Sequence, residues 1–109
     1  MRPLPQPARD AFALPAVLHA LGDPVRLELV RRAHARPEST CAVLADGLGV
    51  PLSTVSNHFR IMREAGVVAM TADGRHRRVR VRAEDLRERF PGLLEPILRG
   101  AAEERPPGT

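Results

Sequence analysis

The stretch that decides the fold is LSTVSNHFRIMREAG, residues Leu52–Gly66. Three apolar residues in it recur at helical spacing and form one face, namely Val55, Phe59 and Met62. Gly66 follows the last turn, where a helix often ends on a left-handed glycine. The stretch therefore predicts a helix over Leu52–Ala65 that is apolar on one face and polar on the other.

The next fifteen residues, VVAMTADGRHRRVRV (67–81), change the apolar period from 3.6 to two. Asp73-Gly74 in the middle of this stretch is a dipeptide typical of tight hairpin turns. The pattern therefore predicts a β-hairpin with strands over Val67–Thr71 and Arg77–Arg82.

Working outward from this unit, helical apolar periods predict four more segments. They are a first helix in Phe12–Leu21, a second from the N-cap Asp23 to Ala35, a third from the N-cap Ser39 through Leu48, and a final helix over Ala83–Leu98. Gly49-Val50-Pro51 is a tight turn between the third and fourth helices. Pro91 and Pro96 are expected to break or kink the final helix.

The order of elements indicates a mainly α fold with a small β-hairpin, α-α-α-α-β-β-α, which is a winged helix-turn-helix. Three regions are expected: a flexible Pro-rich arm (1–11), the DNA-binding and dimerisation domain (12–99) and a disordered tail (100–109). One domain of this size gains little stability from its core alone, so we expect a dimer.

Composition indicates an anionic partner and a reducing compartment. The formal net charge is +4, and all 17 basic residues are arginine, whose planar fork suits phosphate oxygens and guanine edges. A single cysteine excludes an intrachain disulfide and a multi-cysteine zinc module. Neither a signal peptide nor a membrane span is indicated, so the protein is expected to be cytoplasmic.

Two groups of polar residues are candidates for contacting double-stranded DNA. On the fourth helix the outward residues are Ser53, Thr54, Ser56, Asn57 and Arg60, whose hydroxyl, amide and guanidinium groups can bind phosphates or base edges. At the hairpin the candidates are Arg75, His76, Arg77 and Arg78. The alternatives are an ordinary polar helix face and, for Arg78, Arg80 and Arg82, protection of an exposed strand edge.

Three segments in order resemble the ArsR/SmtB family of winged-helix repressors: LGDPVRLELV (21–30), STVSNHFRIMREAGVV (53–68) and DGRHRRVRV (73–81). The resemblance implies DNA reading by the stretch that includes Ser53, Thr54, Ser56, Asn57 and His58. Leu52 departs from the family pattern, in which a polar residue is usual. A homodimer through the first and last helices is also implied, with Leu14, Val17, Leu18, Leu93, Leu94 and Ile97 as its interface.

Many members of that family sense metal ions, but the residues here do not favour it. The two positions where the resemblance places cysteines hold Thr40 and Ala42, and Cys41 between them shares the buried stripe of Leu44. The final helix offers carboxylates but no histidine. We therefore expect no metal or other cofactor, and an inducer of unidentified nature.

The function expected from these patterns is a homodimeric repressor that binds a two-fold symmetric operator. The alternative is a winged-helix protein-interaction or dimerisation module that binds no operator. An enzyme is not expected, because the sequence has no catalytic triad order, phosphate-cradling glycine loop or clustered pair of carboxylates.

Overall fold

The structure is a computed structural model and describes residues 1–104. The part of the expected tail at 105–109 lies outside the described residues. Its elements are β1 (Arg2–Pro3), a 3-10 turn (Arg9–Ala11), α1 (Leu14–Leu21), α2 (Pro24–Ala35), β2 (Ser39–Thr40), α3 (Cys41–Ala45), α4 (Leu52–Ala65), β3 (Val68–Asp73), β4 (His76–Val81), α5 (Ala83–Arg89) and α6 (Leu94–Glu103). None of the helices within 1–104 is both long and apolar enough to span a membrane.

The predicted hairpin is confirmed as β3 and β4, which pair from Val68↔Val81 to Asp73↔His76. Gly74 in the turn adopts a φ of 59°, a left-handed conformation that glycine adopts without strain. Two short strands extend the hairpin to an antiparallel sheet of order β1-β3-β4-β2. Neither β1 nor β2 was predicted from the sequence, because a strand of two residues is too short to show an alternation of apolar and polar residues.

Helix α2 begins as predicted. The Asp23 carboxylate accepts hydrogen bonds from the backbone N–H groups of Val25 (2.9 Å) and Arg26 (3.0 Å), and Pro24 occupies the first turn. A carboxylate at this position satisfies two N–H groups that have no partner within the helix.

Helix α3 differs from the prediction at both ends. Its N-cap is Thr40, whose hydroxyl accepts from the Val43 N–H at 3.3 Å, while the predicted cap Ser39 belongs to β2. The helix ends at Ala45, before Leu48. Sheet pairing of Ser39 with Val79 moves the helix start by one residue, which periodicity alone cannot detect.

Helix α4 has the predicted bounds, and its apolar face enters the core. Gly66 ends it with a φ of 89°. A Cβ on Gly66 would lie 2.3 Å from the Phe12 ring, so the residue must be glycine for reasons of space as well as of backbone conformation. The close approach joins the end of α4 to the segment that precedes α1.

The predicted final helix is two helices. α5 ends at Arg89, and Pro91 and Gly92 separate it from α6, so the expected break at Pro91 is correct. Pro96 does not break α6, since it lies in the first turn, where an N–H has no acceptor within the helix. α6 continues to Glu103, so residues 100–103 are helical and not part of a disordered tail.

Two of the six predicted dimer residues belong to the core of the protomer itself. Val17 is fully buried and Leu94 is 2% exposed, so neither has surface left to offer a partner, which corrects the expectation. Leu14 and Leu18, one turn apart on α1, are 41% and 45% exposed. Leu93 and Ile97 are half-buried against the core.

The N-terminal arm is extended, but it is hydrogen-bonded to the domain where the sequence analysis expected flexibility. Arg2 pairs with Ala72 and Pro3 with Thr71 in the β1–β3 ladder. The arm therefore covers the outer edge of the hairpin.

Candidate nucleic-acid interface

The outer face of α4 presents the polar residues that the sequence singles out. Its exposed members are Ser53, Thr54, Ser56, Asn57 and Arg60. Arg60 donates to the Asn57 side-chain oxygen at 2.6 Å and to the Glu64 carboxylate at 3.0 Å. The Asn57 amide hydrogens consequently point outward as donors, and hydroxyl, amide and guanidinium groups are available along one exposed face.

His58 was expected among the DNA-contacting residues, but its side chain lies on the side of α4 that faces Arg26 of α2. Its side chain is 13% exposed, and its Nδ1 lies 3.2 Å from Nη1 of Arg26. Residue 58 lies one turn from Val55 and Met62, so the helical period itself turns it toward the core side. The ArsR/SmtB resemblance implied DNA contact for His58, whereas the helical period places its side chain against Arg26 of α2.

Arg26 is a positioning residue that sequence analysis did not identify. It is buried on α2, its Nε donates to the Ala20 carbonyl at 2.8 Å, and its Nη2 donates to the His19 carbonyl at 3.0 Å. The guanidinium therefore satisfies carbonyls at the end of α1 while it contacts His58 of α4. The available signal was its spacing, since Arg26 precedes Leu29 and Val30 by three and four residues and so falls on the buried face of α2.

A second arginine of α2 holds the helix-turn-helix turn. Nη1 of Arg32 donates to the carbonyls of Leu44 (3.0 Å) and Asp46 (2.7 Å), where α3 ends. Arg32 is oriented by Glu28 at 2.7 Å. Hydrogen bonds from Arg31 and Arg32 lower the pKa of Glu28 to about 2, so the carboxylate is ionised at neutral pH.

The outer face of α4 and the hairpin turn line the same groove. This open groove of about 390 Å³ has Ser56 and Arg60 on the α4 side and Arg75, His76 and Arg77 on the hairpin side. Ser53, Thr54 and Asn57 lie on the exposed part of α4 outside the groove lining. The groove therefore brings part of each candidate set, Ser56 and Arg60 of α4 and Arg75, His76 and Arg77 of the hairpin, to one side of the molecule, where a linear ligand could contact both.

The remaining hairpin arginines are compensated within the protomer. Arg78 pairs with Asp73 at 2.9 Å, and Arg80 lies 3.7 Å from Glu38. The hydrogen bond from Arg78 lowers the pKa of the Asp73 carboxyl. Arg82 is buried, 3.0 Å from its acidic partner Asp85. Arg78 was a candidate DNA contact, and its carboxylate partner makes it the weakest of the four hairpin candidates.

Comparison with known proteins agrees with this geometry. The model of a helix-turn-helix domain family matches residues 21–71. Over 82 residues the chain is 30% identical to the uncharacterized HTH-type transcriptional regulator YceK of Bacillus subtilis, covering 74% of this chain and 82% of YceK. The chain belongs to the ArsR/SmtB family of winged-helix transcriptional regulators.

Other members of the ArsR/SmtB family show the same relationship. The chain is 38% identical over 74 residues to the HTH-type transcriptional repressor SmtB of Mycobacterium tuberculosis. This match covers 67% of this chain and 53% of SmtB. An ArsR-like transcriptional regulator from Rhodococcus sp. RHA1 superposes with a TM-score of 0.60 at 26% identity, over 83% of this chain and 80% of that one. Its ArsR/SmtB relatives are regulators, so the expectation of no enzymatic function is confirmed.

The donor set of the chain does not fit the metal sites that the ArsR/SmtB resemblance implies. Thr40 is occupied as the cap of α3, and burial raises the pKa of the Cys41 thiol to about 11, which disfavours the thiolate that binds metals. On α6, Glu95 is paired with Arg87. Within residues 1–104 no three histidine, cysteine, aspartate or glutamate side chains converge as ligands for a metal ion.

Proposed function

We propose that this ArsR/SmtB regulator is a homodimeric repressor that binds a two-fold symmetric operator in double-stranded DNA. The observation that carries the proposal is the common groove, lined by Ser56 and Arg60 of α4 and by Arg75 and Arg77 of the hairpin. A helix that enters the major groove and a basic wing that follows the flanking backbone require this arrangement. SmtB of Mycobacterium tuberculosis is named as a transcriptional repressor, which supports repression as the direction of regulation.

Dimerisation is proposed through α1 and α6. Leu14 and Leu18 form an exposed apolar pair on α1, and Leu93 and Ile97 supply partly exposed apolar surface at α6. Burying these side chains against a second copy would remove apolar area from water, which is the main driving force of association. The dimer would place two α4 helices on half-sites about 34 Å apart, one turn of DNA.

The experiment for DNA recognition is selection of preferred duplexes from a random pool with the wild-type chain, followed by affinity measurement with Ser56→Ala. Loss of one hydroxyl contact should reduce discrimination at one base position about fivefold, while affinity for unrelated DNA stays unchanged. Ser39→Ala is the matched control, because among the described residues the Ser39 hydroxyl bonds only the Arg36 carbonyl. A wild-type chain that selects no sequence would contradict operator binding and favour the interaction-module alternative.

The dimer is tested with Leu18→Glu, which should give monomers in light scattering and an operator affinity about a hundredfold weaker, since both half-sites can no longer be bound together. Ala16→Glu, on the opposite side of α1 and exposed, is the matched control and should stay dimeric. Leu94→Glu should instead unfold the protomer, because it buries a charge in the core. A dimeric Leu18→Glu would refute the interface.

We further propose that the releasing signal is not a metal ion. The absence of suitable donors at Thr40, Ala42 and Cys41 supports this, as does the pairing of Glu95 with Arg87. Operator binding should therefore be the same in zinc, in nickel and in a chelator. Loss of binding in either metal would contradict the proposal.

A further inference from the structure

The N-terminal strand adds a cation to the same row of the sheet as the hairpin. Arg2 pairs with Ala72 across the β1–β3 ladder, and Ala72 pairs with Arg77 across the β3–β4 ladder. Residues directly opposite one another project from the same face of a sheet. Two guanidinium-bearing residues therefore flank the small Ala72 on one face, about 10 Å apart at the backbone given the usual strand spacing.

The face that carries Arg2 is the face that lines the groove. Leu4, two residues further on, lies on the same side of the strand as Arg2, and its N–H donates to the Met70 carbonyl at 2.9 Å. Leu4 and Met70 both line the groove between α4 and the hairpin, as does Arg77. Arg2 is thus placed at the groove by its position in the ladder.

The charge of Arg2 is not compensated by the rest of the domain. Arg2 is exposed, and no salt bridge involves it within the part of the chain that the structure describes. Arg9 of the same arm, in contrast, lies 3.6 Å from the carboxylate of Asp85 in α5. The arm therefore presents one compensated and one uncompensated cation.

The arm is held by three arginines, one in α4, one at the junction of β4 and α5, and one in α5. Arg63 of α4 donates to the Pro5 carbonyl, Arg82 to the Pro7 carbonyl at 2.6 Å, and Arg89 of α5 to the Arg9 carbonyl at 3.0 Å. An arm that served only to cover the edge of β3 would need no more than the strand pairing. These bonds set the register of the chain that leads to Arg2.

We propose that residues Arg2–Leu4 form a third DNA-contacting element, in which Arg2 binds a backbone phosphate beside the site that the hairpin contacts. The proposal rests on the proposed DNA-binding function. An uncompensated arginine in one row with Arg77, at a groove open to a polyanion, can neutralise a DNA phosphate, and the cations condensed on the DNA at that phosphate are then released.

The test measures the affinity of the full chain for its selected operator against salt concentration, with Arg2→Ala, Arg2→Lys and Arg9→Ala. Arg2→Ala should raise Kd about fivefold for all sequences and lower the salt slope by about 1 per protomer. Arg2→Lys should restore both, because a phosphate contact needs only the charge. Arg9→Ala, which removes the same charge from the same arm, should match the wild type.

A second variant tests whether docking of the arm is required. Leu4→Pro removes the N–H that bonds Met70 and should weaken binding as much as Arg2→Ala, with no further loss when the two are combined. Wild-type affinity and slope in Arg2→Ala would overturn the inference and leave the proposed function standing. A wild-type chain that binds no DNA at all would overturn both.

Discussion

The two faces of the sheet both carry arginines, yet the arginines make different contacts. On the groove face, Arg77 donates only to the neighbouring His76 carbonyl at 3.3 Å, and no carboxylate within residues 1–104 pairs with it. On the outer face, Arg78 is paired with Asp73, and Arg80 with Glu38. Adjacent residues of one strand thus differ completely in how their charge is compensated.

The difference shows that the pleat of the strand, rather than the count of basic residues, decides which charges are available to a ligand. Uncompensated like charges repel one another, and a bound polyanion relieves that repulsion. Charges that already have a carboxylate partner gain little from one. The groove face is therefore expected to account for most of the electrostatic affinity for DNA.

The largest effect is expected from removing the uncompensated cations. Arg75→Ala combined with Arg77→Ala should raise Kd about 25-fold and lower the salt slope by about 2 per protomer, since two phosphate contacts are lost. Fluorescence anisotropy with operator and with unrelated duplex should show the same loss for both. An unchanged salt slope would mean that the groove face does not contact phosphates.

A smaller effect in the opposite direction is expected from Asp73→Asn. The hydrogen bond from Arg78 holds the pKa of Asp73 below its usual range, so the carboxyl is charged at neutral pH and the substitution removes a full negative charge. Arg78 is then uncompensated, and affinity for unrelated DNA should rise about threefold. A reduced affinity would indicate that Asp73 supports the hairpin in a way that outweighs its charge.

The smallest effect is expected when one compensated pair is removed as a whole. Glu38→Gln with Arg80→Gln leaves the net charge unchanged and deletes an exposed pair, which contributes little to stability. Kd should stay within about twofold of the wild type. A loss as large as that of the Arg75 and Arg77 variant would erase the distinction between the two faces.

Much of the interface could be predicted from local sequence. The bounds of α4 followed from Val55, Phe59 and Met62 together with Gly66, and the alternation around Val79 already places Arg77 on one face and Arg78 on the other. These features depend on neighbours within one turn or one strand, which is the range over which sequence patterns are informative.

The remainder depends on contacts between distant residues. Glu38 forms an ion pair with Arg80, and the Pro7 carbonyl accepts a hydrogen bond from Arg82. These partners are far apart in the sequence, so no helical or strand periodicity predicts their contact. Periodicity identified Val17 and Leu94 as apolar but could not show that the protomer covers them itself. His58 is a different case, because the family resemblance implies DNA contact for it while the helical period turns its side chain toward Arg26 of α2.

The most direct test of the account is an NMR titration that follows the arginine Nε–Hε signals of the dimer as operator DNA is added. The account predicts that the signals of Arg75 and Arg77 shift strongly, while those of Arg80 on the outer face and the buried Arg26 stay in place. Shifts confined to the outer face, with silent signals from the groove, would contradict it.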